Sequence, residues 1–480
     1  MRLDHVLRDV EYNGSLKLKE DIEISNVTSE ISDVHPGSIF VAVKGRSFDG
    51  HSVLSKAFDR GAVLSIVENG DHGFYGRTVT VEDSRKALSL LCSNINGRPT
   101  EKLTLIGVTG TNGKTTTCHM LQRILSENGI RCGIIGTVEA FRENSRGVAV
   151  REQTGFTTPR PELLFPLLKR IYECGCTHAV MEVSSQALSQ DRVFGIEFDL
   201  GVFTNLSVDH LDYHGDMQAY GEAKLKLFYQ SRLKLANADS DYSSKFVSMA
   251  KTYSVYDRSD FYADNVCITS CGSTYDLLTD NKKYSVSLSV TGLFNVYNSL
   301  AAVSSAIMLG VPTANAVDAV KTFDGVCGRL EKIPLDKPFS VYIDFAHTPD
   351  GLLNLLLCMR TFVKGKIILV FGCGGNRDRS KRSQMGKIAV ENADTVVITS
   401  DNPRFEDPEN IISDIVSDIS DNKNYITEIN RETAIKSALS LAEKDDAVVL
   451  AGKGHEPYQE IKGMKYPFNE KEIVIGFFNK

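Results

Sequence analysis

The chain alternates short apolar runs with stretches whose apolar residues recur three and four apart. Leu103, Leu105, Ile106 and Val108 read as a buried strand. Met120, Leu121, Ile124 and Leu125 then line one face of a helix that stops at Asn128-Gly129. Upstream, residues 1–98 hold strand-like runs at Ser38 to Val43, Ala62 to Val67 and Thr78 to Val81, and Asn96-Gly97-Arg98-Pro99 reads as a linker. In the middle block, 99–328, strands at His178 to Val183 and Leu200 to Thr204 alternate with helical stretches, which argues for a parallel sheet. Cys327-Gly328-Arg329 closes it. In the last block, 329–480, four apolar runs recur with helical patterns between them: Val341 to Phe345, Lys366 to Phe371, Thr395 to Thr399 and Ala447 to Leu450. The predicted class is α/β in three domains: an N-terminal mixed α/β domain, a central parallel-sheet domain and a C-terminal Rossmann-like domain.

Between the first strand and helix of the middle block lies Gly110-Thr111-Asn112-Gly113-Lys114-Thr115-Thr116. A strand feeding a helix through a glycine turn aims backbone N–H groups at phosphate oxygens. Lys114 adds a cation for the β and γ phosphates, and Thr115 a hydroxyl for Mg²⁺. The strict P-loop spacing asks for glycine at 108, where this chain has Val108, so the motif is a variant. The plain alternative is a glycine-rich turn with no ligand.

Each of the four late runs is followed by polar residues: Ala346-His347-Thr348-Pro349, Gly374-Gly375-Asn376-Arg377-Asp378-Arg379, Asp401-Asn402-Pro403-Arg404 and Gly452-Lys453-Gly454-His455-Glu456. Ligands bind beyond the carboxyl ends of strands in open α/β sheets, so these loops predict a binding rim. In the middle block Glu182 ends a strand and is a candidate to share Mg²⁺ with Thr115. Asp209-His210-Leu211-Asp212-Tyr213-His214 is dense in acid and imidazole but lacks zinc spacing, leaving a Mg²⁺ neighbour or an acid-base role, with His210 the foremost candidate. Lys224, from residues alone, is one surface lysine among several.

Size and charge narrow the class. The 480 residues are 42% hydrophobic and 24% charged, ordinary for a soluble enzyme, and the net charge of −7 gives no general affinity for nucleic acid. The polar start Met1-Arg2-Leu3-Asp4-His5 lacks the apolar core of a signal peptide, and no run is long enough to span a bilayer. The ten cysteines include no CxxC pair, and reduced packing cysteines in a cytoplasmic protein are expected, as is a monomer.

Taken in order along the chain, Gly110 to Thr115, Thr157-Thr158-Pro159, Met181-Glu182-Val183-Ser184-Ser185, Asp209 to His214, Phe294-Asn295-Val296-Tyr297-Asn298, Gly328-Arg329 and Asp344-Phe345-Ala346-His347-Thr348-Pro349 resemble the Mur ligases. The Arg377, Asn402 and His455 loops extend the likeness. The resemblance implies an ATP-dependent amide ligase working through an acyl phosphate, with ATP and Mg²⁺ as cofactors. The N-terminal domain would bind uridine, and UDP-MurNAc-L-Ala-D-Glu and meso-diaminopimelate would be the partners. It implies ATP contacts from Gly110, Thr111, Asn112, Gly113, Lys114, Thr115, Thr116, Asn298 and Arg329 in the middle block, and from Asp344 and His347 in the last. Lys114, His210 and Lys224 are the implied catalytic residues, and Thr115, Glu182, His210 and Lys224 the implied metal ligands, Lys224 as a carbamate. The sugar-nucleotide and dipeptide would be held by Ser29, Arg46, Ser47, Phe48, Thr157, Thr158, Ser184, Gln190 and Arg192. The chain departs from the family in two places: Thr28-Ser29-Glu30 replaces Asp-Ser-Arg, and Gln186 stands where many members have histidine.

By the same resemblance, Arg377, Asp401, Asn402, Pro403, Arg404, Gly452 and Glu456 surround the incoming amino acid. The form Asp401-Asn402-Pro403-Arg404 accompanies meso-diaminopimelate in the family. Its second carboxylate suits the planar fork of Arg404, which lysine would leave unpaired, and Glu456 suits the distal ammonium. A lysine-adding ligase and a folylpolyglutamate synthetase-like ligase are the alternatives.

Overall fold

The computed structural model describes residues 1–18, 22–45, 48–68, 73–74, 76–138, 140–143, 149–152, 155–269, 271–420 and 424–479. By packing, the chain divides into two compact units. The first comprises Met1–Thr109, Leu125–Val202 and Glu222–Lys234, and the second Gly110–Ile124, Phe203–Gly221 and Leu235–Lys480.

In the first unit, β1 (Asn26–Thr28), β2 (Ser38–Val41), β3 (Leu64–Val67) and β4 (Thr78–Thr80) form a parallel sheet in chain order. The helix Ser84–Ile95 starts where the Asp83 side chain accepts from the N–H groups of Arg85 and Lys86. Leu88 and Leu91 of that helix share a core with Ile39, Val41, Leu64 and Ile66. A second sheet is built from β5 (Thr104–Thr109), β6 (Cys132–Ile135), β7 (Ala140–Glu143), β8 (Ala149–Glu152), β9 (His178–Glu182) and β10 (Phe198–Phe203), in the order β10-β5-β9-β6-β7-β8. β9 runs parallel to β5 and β6, and β7 and β8 are antiparallel additions. The strand read at 103–108 and the helix read at 120–125 are both present, the helix as Lys114–Glu127. Val108, at the place of the missing P-loop glycine, is a buried residue of β5.

The second unit contains β11 (Ser231–Asn237) from Leu235 onward, β12 (Lys251–Ser254), β13 (Phe261–Thr269), β14 (Gly272–Thr279) and β15 (Lys282–Leu288). β12 pairs parallel with β11 and β13, but β13, β14 and β15 form an antiparallel meander. The parallel strands expected of the middle block are present, and this antiparallel meander is added to them. The turn Asp280-Asn281 takes left-handed φ values of 49° and 58°, the two-residue geometry that matches strand twist in a hairpin. The apolar helix Leu293–Met308 packs over this region, with Val296, Leu300, Ala301, Ala302, Val303 and Ala306 buried.

The remaining sheet has β16 (Glu331–Ile333), β17 (Ser340–Asp344), β18 (Ile367–Phe371), β19 (Thr395–Thr399), β20 (Tyr425–Glu428) and β21 (Ala447–Ala451), in the order β16-β17-β21-β18-β19-β20. All but the β16 edge are parallel. β17, β21, β18 and β19 are contiguous, so the four polar loops leave one edge of the sheet, as their sequence pattern predicts. A hairpin of β22 (Tyr458–Ile461) and β23 (Met464–Pro467) follows. Apolar layers cover both faces: Leu355, Met359, Leu369 and Ile398 on one, Ile368, Val370, Ala434 and Ile435 on the other.

One ion pair is sealed in this unit. Arg431 Nε donates to Glu470 Oε1 at 2.8 Å with both side chains almost fully buried, and Arg431 Nη2 donates to Ala451 O at 2.9 Å. This fastens the helix Arg431–Leu441 to the end of β21. Removing one partner strands a charge, whereas removing both does not. Arg431→Leu should therefore cost about 3–5 kcal/mol in urea unfolding. The double variant Arg431→Leu/Glu470→Leu should recover much of that loss, and equal destabilisation of the two would disprove the pairing.

Candidate active site

The glycine turn belongs to the second unit, and its shape is dictated by the segment Thr204–Ser207. Thr111 N donates to Asn205 O at 2.9 Å and Asn112 N to Asn205 Oδ1 at 2.9 Å. Thr204 Oγ1 donates to Asn112 O at 2.6 Å. Gly110 has φ +150°, and a Cβ there would lie 1.9 Å from Thr204 Oγ1. Gly113 has φ +85°, and its Cβ would lie 2.4 Å from Asn298 Oδ1. Both positions therefore require glycine. Lys114 Nζ arches back to donate to the carbonyls of Gly110 and Thr111 at 2.8 and 2.9 Å. The helix begins at Lys114, so Lys114, Thr115 and Thr116 contribute first-turn N–H groups, and the positive end of the helix dipole lies at the turn.

The far side of the turn is clamped by residues from distant parts of the sequence. Asp350 Oδ2 accepts from Asn112 Nδ2 at 2.9 Å and from Ser207 Oγ at 3.0 Å. Arg329 Nη2 donates to Thr115 Oγ1 at 3.3 Å, and its guanidinium lies 4.6 Å from the centre of the Phe345 ring. Asp344 accepts from Leu330 N and Ala346 N, each at 2.7 Å. Enclosure pushes Asp344 above the ordinary carboxylate range, and Arg329 opposes the shift without cancelling it. His347 Nδ1 lies 2.9 Å from Phe345 O, which assigns the Nδ1–H tautomer, and the carbonyl of His347 accepts from Lys381 Nζ at 2.9 Å. Asn298 and Arg329 thus reach the turn and the helix that follows it, and Asp344 and His347 lie within the electrostatic influence of Arg329. Sequence reasoning missed Asn205, Asp350 and Lys381, whose only signal was their position next to motif residues.

His210 sits at a left-handed φ of 54° and donates its N–H to Asp209 Oδ1 at 2.9 Å. Burial alone would raise Asp209, but His210, His347 and Lys381 outweigh it and hold the carboxylate below its usual value. Tyr220 touches this segment through His214, and its hydroxyl lies 3.2 Å from Thr111 Oγ1.

At the edge of the C-terminal sheet, the loop after β18 and the loop after β19 are joined. Gly375 N donates to Asn402 O at 2.9 Å, and Phe405 N to Asn376 Oδ1 at 3.0 Å. Glu406 takes hydrogen bonds from Asn376 N, from Arg379 at 2.9 Å and from buried Arg382 at 3.0 and 3.1 Å. Arg404 holds a left-handed φ of 52°, fixed by Arg404 N donating to Glu460 O at 3.0 Å and Lys462 N to Arg404 O at 2.6 Å. Its Nε donates to Glu460 Oε2 at 3.1 Å and its Nη1 to Gly375 O at 2.8 Å, while Nη2 has no hydrogen bond among the described residues. The sequence argument supposed that lysine would leave Arg404 unpaired. Glu460 supplies a resident partner, so any discrimination there rests on the remaining face of the fork. Arg377 lies within the influence of Arg404, Asp212, Glu460 and Glu456. Burial and Arg404 hold its pKa below the usual arginine value. Asn402 Nδ2 donates to Glu456 Oε2 at 2.7 Å, and Asp401 lies against Gly452, whose Cβ would sit 2.8 Å from Asp401 Oδ2. Pro403 continues the same loop.

The first unit gathers a second group. Thr158 Oγ1 donates to Glu182 O at 2.9 Å and accepts from Ser184 N at 2.9 Å. Arg192 Nη1 donates to Thr158 O at 2.7 Å, and its Nη2 to Gln190 Oε1 at 2.8 Å. Thr157 Oγ1 lies 3.0 Å from Thr137 Oγ1, whose single proton goes to Glu182. Buried Glu182 accepts from Thr137 N at 2.7 Å and Thr137 Oγ1 at 3.1 Å, in space left by Gly136. Gln186 lies in the short helix Ser185–Ser189. Lys224, read from sequence as one surface lysine among several, is 1% exposed. Ser29 donates both N–H and Oγ to Glu162 Oε1, at 3.2 and 2.6 Å, and Glu30 pairs with Arg160. Phe48 is exposed, and Arg46 and Ser47 lie outside the described residues. A polar cleft of about 660 Å³ in this unit holds none of the sequence-predicted site residues.

Among the described residues no three His, Cys, Asp or Glu stand together as a metal cage. The candidate donors are the Thr115 hydroxyl and His210 imidazole in the second unit and the Glu182 carboxylate and Lys224 in the first; the oxygens among them are of the kind Mg²⁺ takes, one or two from protein beside phosphates and water. Among the described residues no helix is long and apolar enough to cross a membrane.

Family models match in two stretches, the Mur ligase middle domain over residues 108–306 and the Mur ligase glutamate ligase domain over 328–454. A protein of Clostridium perfringens named UDP-N-acetylmuramoyl-L-alanyl-D-glutamate--2,6-diaminopimelate ligase is 39% identical over 99% of both chains. The chain belongs to the Mur ligase family. An Aquifex aeolicus Mur ligase of the same name is 42% identical over 94% of this chain and 93% of its own. A solved Mur ligase structure of that name aligns with a TM-score of 0.70 at 30% identity, covering 100% of this chain and 99% of its own.

The Glu406 junction generates a pH dependence. The Arg382 hydrogen bonds, with Asn376 N–H and Arg379, hold Glu406 down to about 2 against an opposing burial effect. A depressed carboxylate stabilises fully above its ordinary pKa near 4.5 and loses that contribution as pH falls through about 2. Glu406→Gln should cost about 1–2 kcal/mol at pH 7, and the variant should lose stability less steeply than wild type between pH 5 and 3. Parallel pH–stability curves from urea unfolding would refute it.

Proposed function

We propose that this Mur ligase joins meso-diaminopimelate to UDP-MurNAc-L-Ala-D-Glu, converting ATP to ADP and phosphate. The observation that carries the reading is a glycine turn held by Lys114 and reached by Arg329, with Asp344 and His347 under the influence of that arginine, in a chain related over its whole length to diaminopimelate ligases. The domains are UDP-sugar-binding, 1–98; ATP-binding, 99–328; and amino-acid-binding, 329–480. A carboxylate is a poor electrophile. Transfer of the γ-phosphoryl to it makes an acyl phosphate, the amine attacks, and phosphate leaves. Lys114 and the turn's N–H groups neutralise phosphate charge, while positioning supplies much of the rest.

Gly110 to Thr116, Asn298, Arg329, Asp344 and His347 are assigned to ATP. Metal-ligand roles go to Thr115 and His210 in the second unit and to Glu182 and Lys224 in the first, and Mg²⁺ would supply charge neutralisation. Lys224 is buried, and a carbamate on it would act as a carboxylate-like ligand. Ser29, Arg46, Ser47, Phe48, Thr157, Thr158, Ser184, Gln190 and Arg192 are assigned to the sugar-nucleotide and dipeptide. The Arg160–Glu30 pair places a guanidinium beside Ser29 where the family's Asp-Ser-Arg would carry its own. Arg377, Asp401, Asn402, Pro403, Arg404, Gly452 and Glu456 are assigned to the amino acid. The reaction is placed in the cytoplasm and in peptidoglycan precursor synthesis, carried out by a monomer.

The test is phosphate release by the purified chain with ATP, UDP-MurNAc-L-Ala-D-Glu and amine supplied singly and together. Release should require all three, and equal rates with lysine and diaminopimelate would overturn the assignment. Arg404→Lys should raise KM for diaminopimelate by about 100-fold while leaving KM for ATP within about threefold.

A further inference from the structure

Lys453 has no place in the roles above, yet it is the most deeply buried cation at the amino-acid loops. Its side chain is 0% exposed. Nζ donates to Asn402 Oδ1 at 3.1 Å and to Glu456 Oε2 at 3.4 Å. Asn402 Oδ1 also accepts from Glu460 N at 2.9 Å. Two donors on that oxygen fix the amide orientation, so Nδ2 must face Glu456 Oε2, where it donates at 2.7 Å. Glu456 Oε2 is thereby committed to Lys453 and Asn402, and Oε1 makes no hydrogen bond among the described residues.

The electrostatic consequence concerns the far end of the amine substrate. Arg377 and Arg404 are the other cations of this cluster, and Asp401, Glu460 and Asp212 the other acids. Lys453 balances the one acid assigned to the ligand's ammonium. With that charge balanced, the cluster favours an end carrying both ammonium and carboxylate over one that carries ammonium alone. We propose that Lys453 is a positioning and specificity-determining residue: it locks Asn402 and Glu456 and offsets the Glu456 charge, biasing the site toward a zwitterionic distal group. This rests on the diaminopimelate reading.

The experiment measures kcat and KM for diaminopimelate and for lysine in wild type, Lys453→Met, Lys453→Arg and Glu456→Gln. Lys453→Met should raise KM for diaminopimelate about 30-fold or more and lower the diaminopimelate-to-lysine ratio of kcat/KM about tenfold, with KM for ATP within about twofold. Lys453→Arg, which keeps the charge but not the geometry, should retain the ratio while KM stays raised. A purely structural lysine would depress both amines equally, and that result, or an unchanged KM, overturns the proposal. So does loss of the ratio in Lys453→Arg. If Lys453→Met does not fold, Glu456→Gln decides. It leaves Lys453 in excess, so the ratio should shift the opposite way, toward diaminopimelate, and an equal fall for both amines refutes the charge argument. Wild type unable to join diaminopimelate at all would sink the functional reading instead, before any variant is compared.

Discussion

The turn from Gly110 to Lys114 is held in a space that has no room for side chains at its two glycines, and the chemistry of the second unit follows from that fit. Thr204 occupies the volume a Cβ at Gly110 would need, and Asn298 does the same at Gly113. Asn205 takes up the N–H groups of Thr111 and Asn112, so the donors that start the next helix are those nearest Lys114. Its neighbours leave the turn no room at either glycine. Donors fixed in this way would need no reorganisation toward a phosphate on which charge moves. Asp350 and Arg329 extend the same constraint: each reaches the turn from more than two hundred residues away in sequence.

Charge at the C-terminal loops is organised differently. Few of its cations stand alone: Arg404 meets Glu460, Arg382 meets Glu406 and Asp414, and Lys453 meets Glu456. Buried pairs of this kind contribute little net stability compared with apolar packing of the same volume. Their effect is geometric. Arg404–Glu460 and Arg382–Glu406 each join segments distant in the chain, and Lys453 adds a hydrogen bond to Asn402, so the residues assigned to the amino acid share one framework. Compensated charge also means that a ligand is judged by its full charge pattern, since no single bare ion dominates.

The sequence was informative where a local pattern forces a local result. The strand before the glycine turn and the four late strands lie within a residue or two of their apolar runs, because burial on both faces of a parallel sheet demands continuous apolar residues. The antiparallel meander from Phe261 to Leu288 was not read. Its strands alternate buried and exposed positions and carry many polar residues, and its sharpest signal, Asp280-Asn281, is a weak turn pair in isolation. Among site residues, those inside motifs were legible, while Asn205, Asp350, Lys381 and Glu460 carried no assigned role, and Lys453 was legible only as one residue of the loop Gly452 to Glu456. An asparagine, an acid or a lysine has no distinctive neighbourhood until its partner is known. Lys224 is the opposite case: residues alone made it a surface lysine, and only packing shows it buried.

By itself, then, the chain's linear pattern determined the α/β class, the glycine turn and the polar loops at strand ends, since spacing and burial act over a few residues at a time. It also carried the family, through many short motifs in a set order. Tertiary structure decided which charges meet. The Glu460 partner of Arg404, the Glu30–Arg160 pair and the orientation of Asn402 depend on groups brought together from separate segments. Electrostatic and hydrogen-bond energies depend on distance in space, which one-dimensional order does not contain.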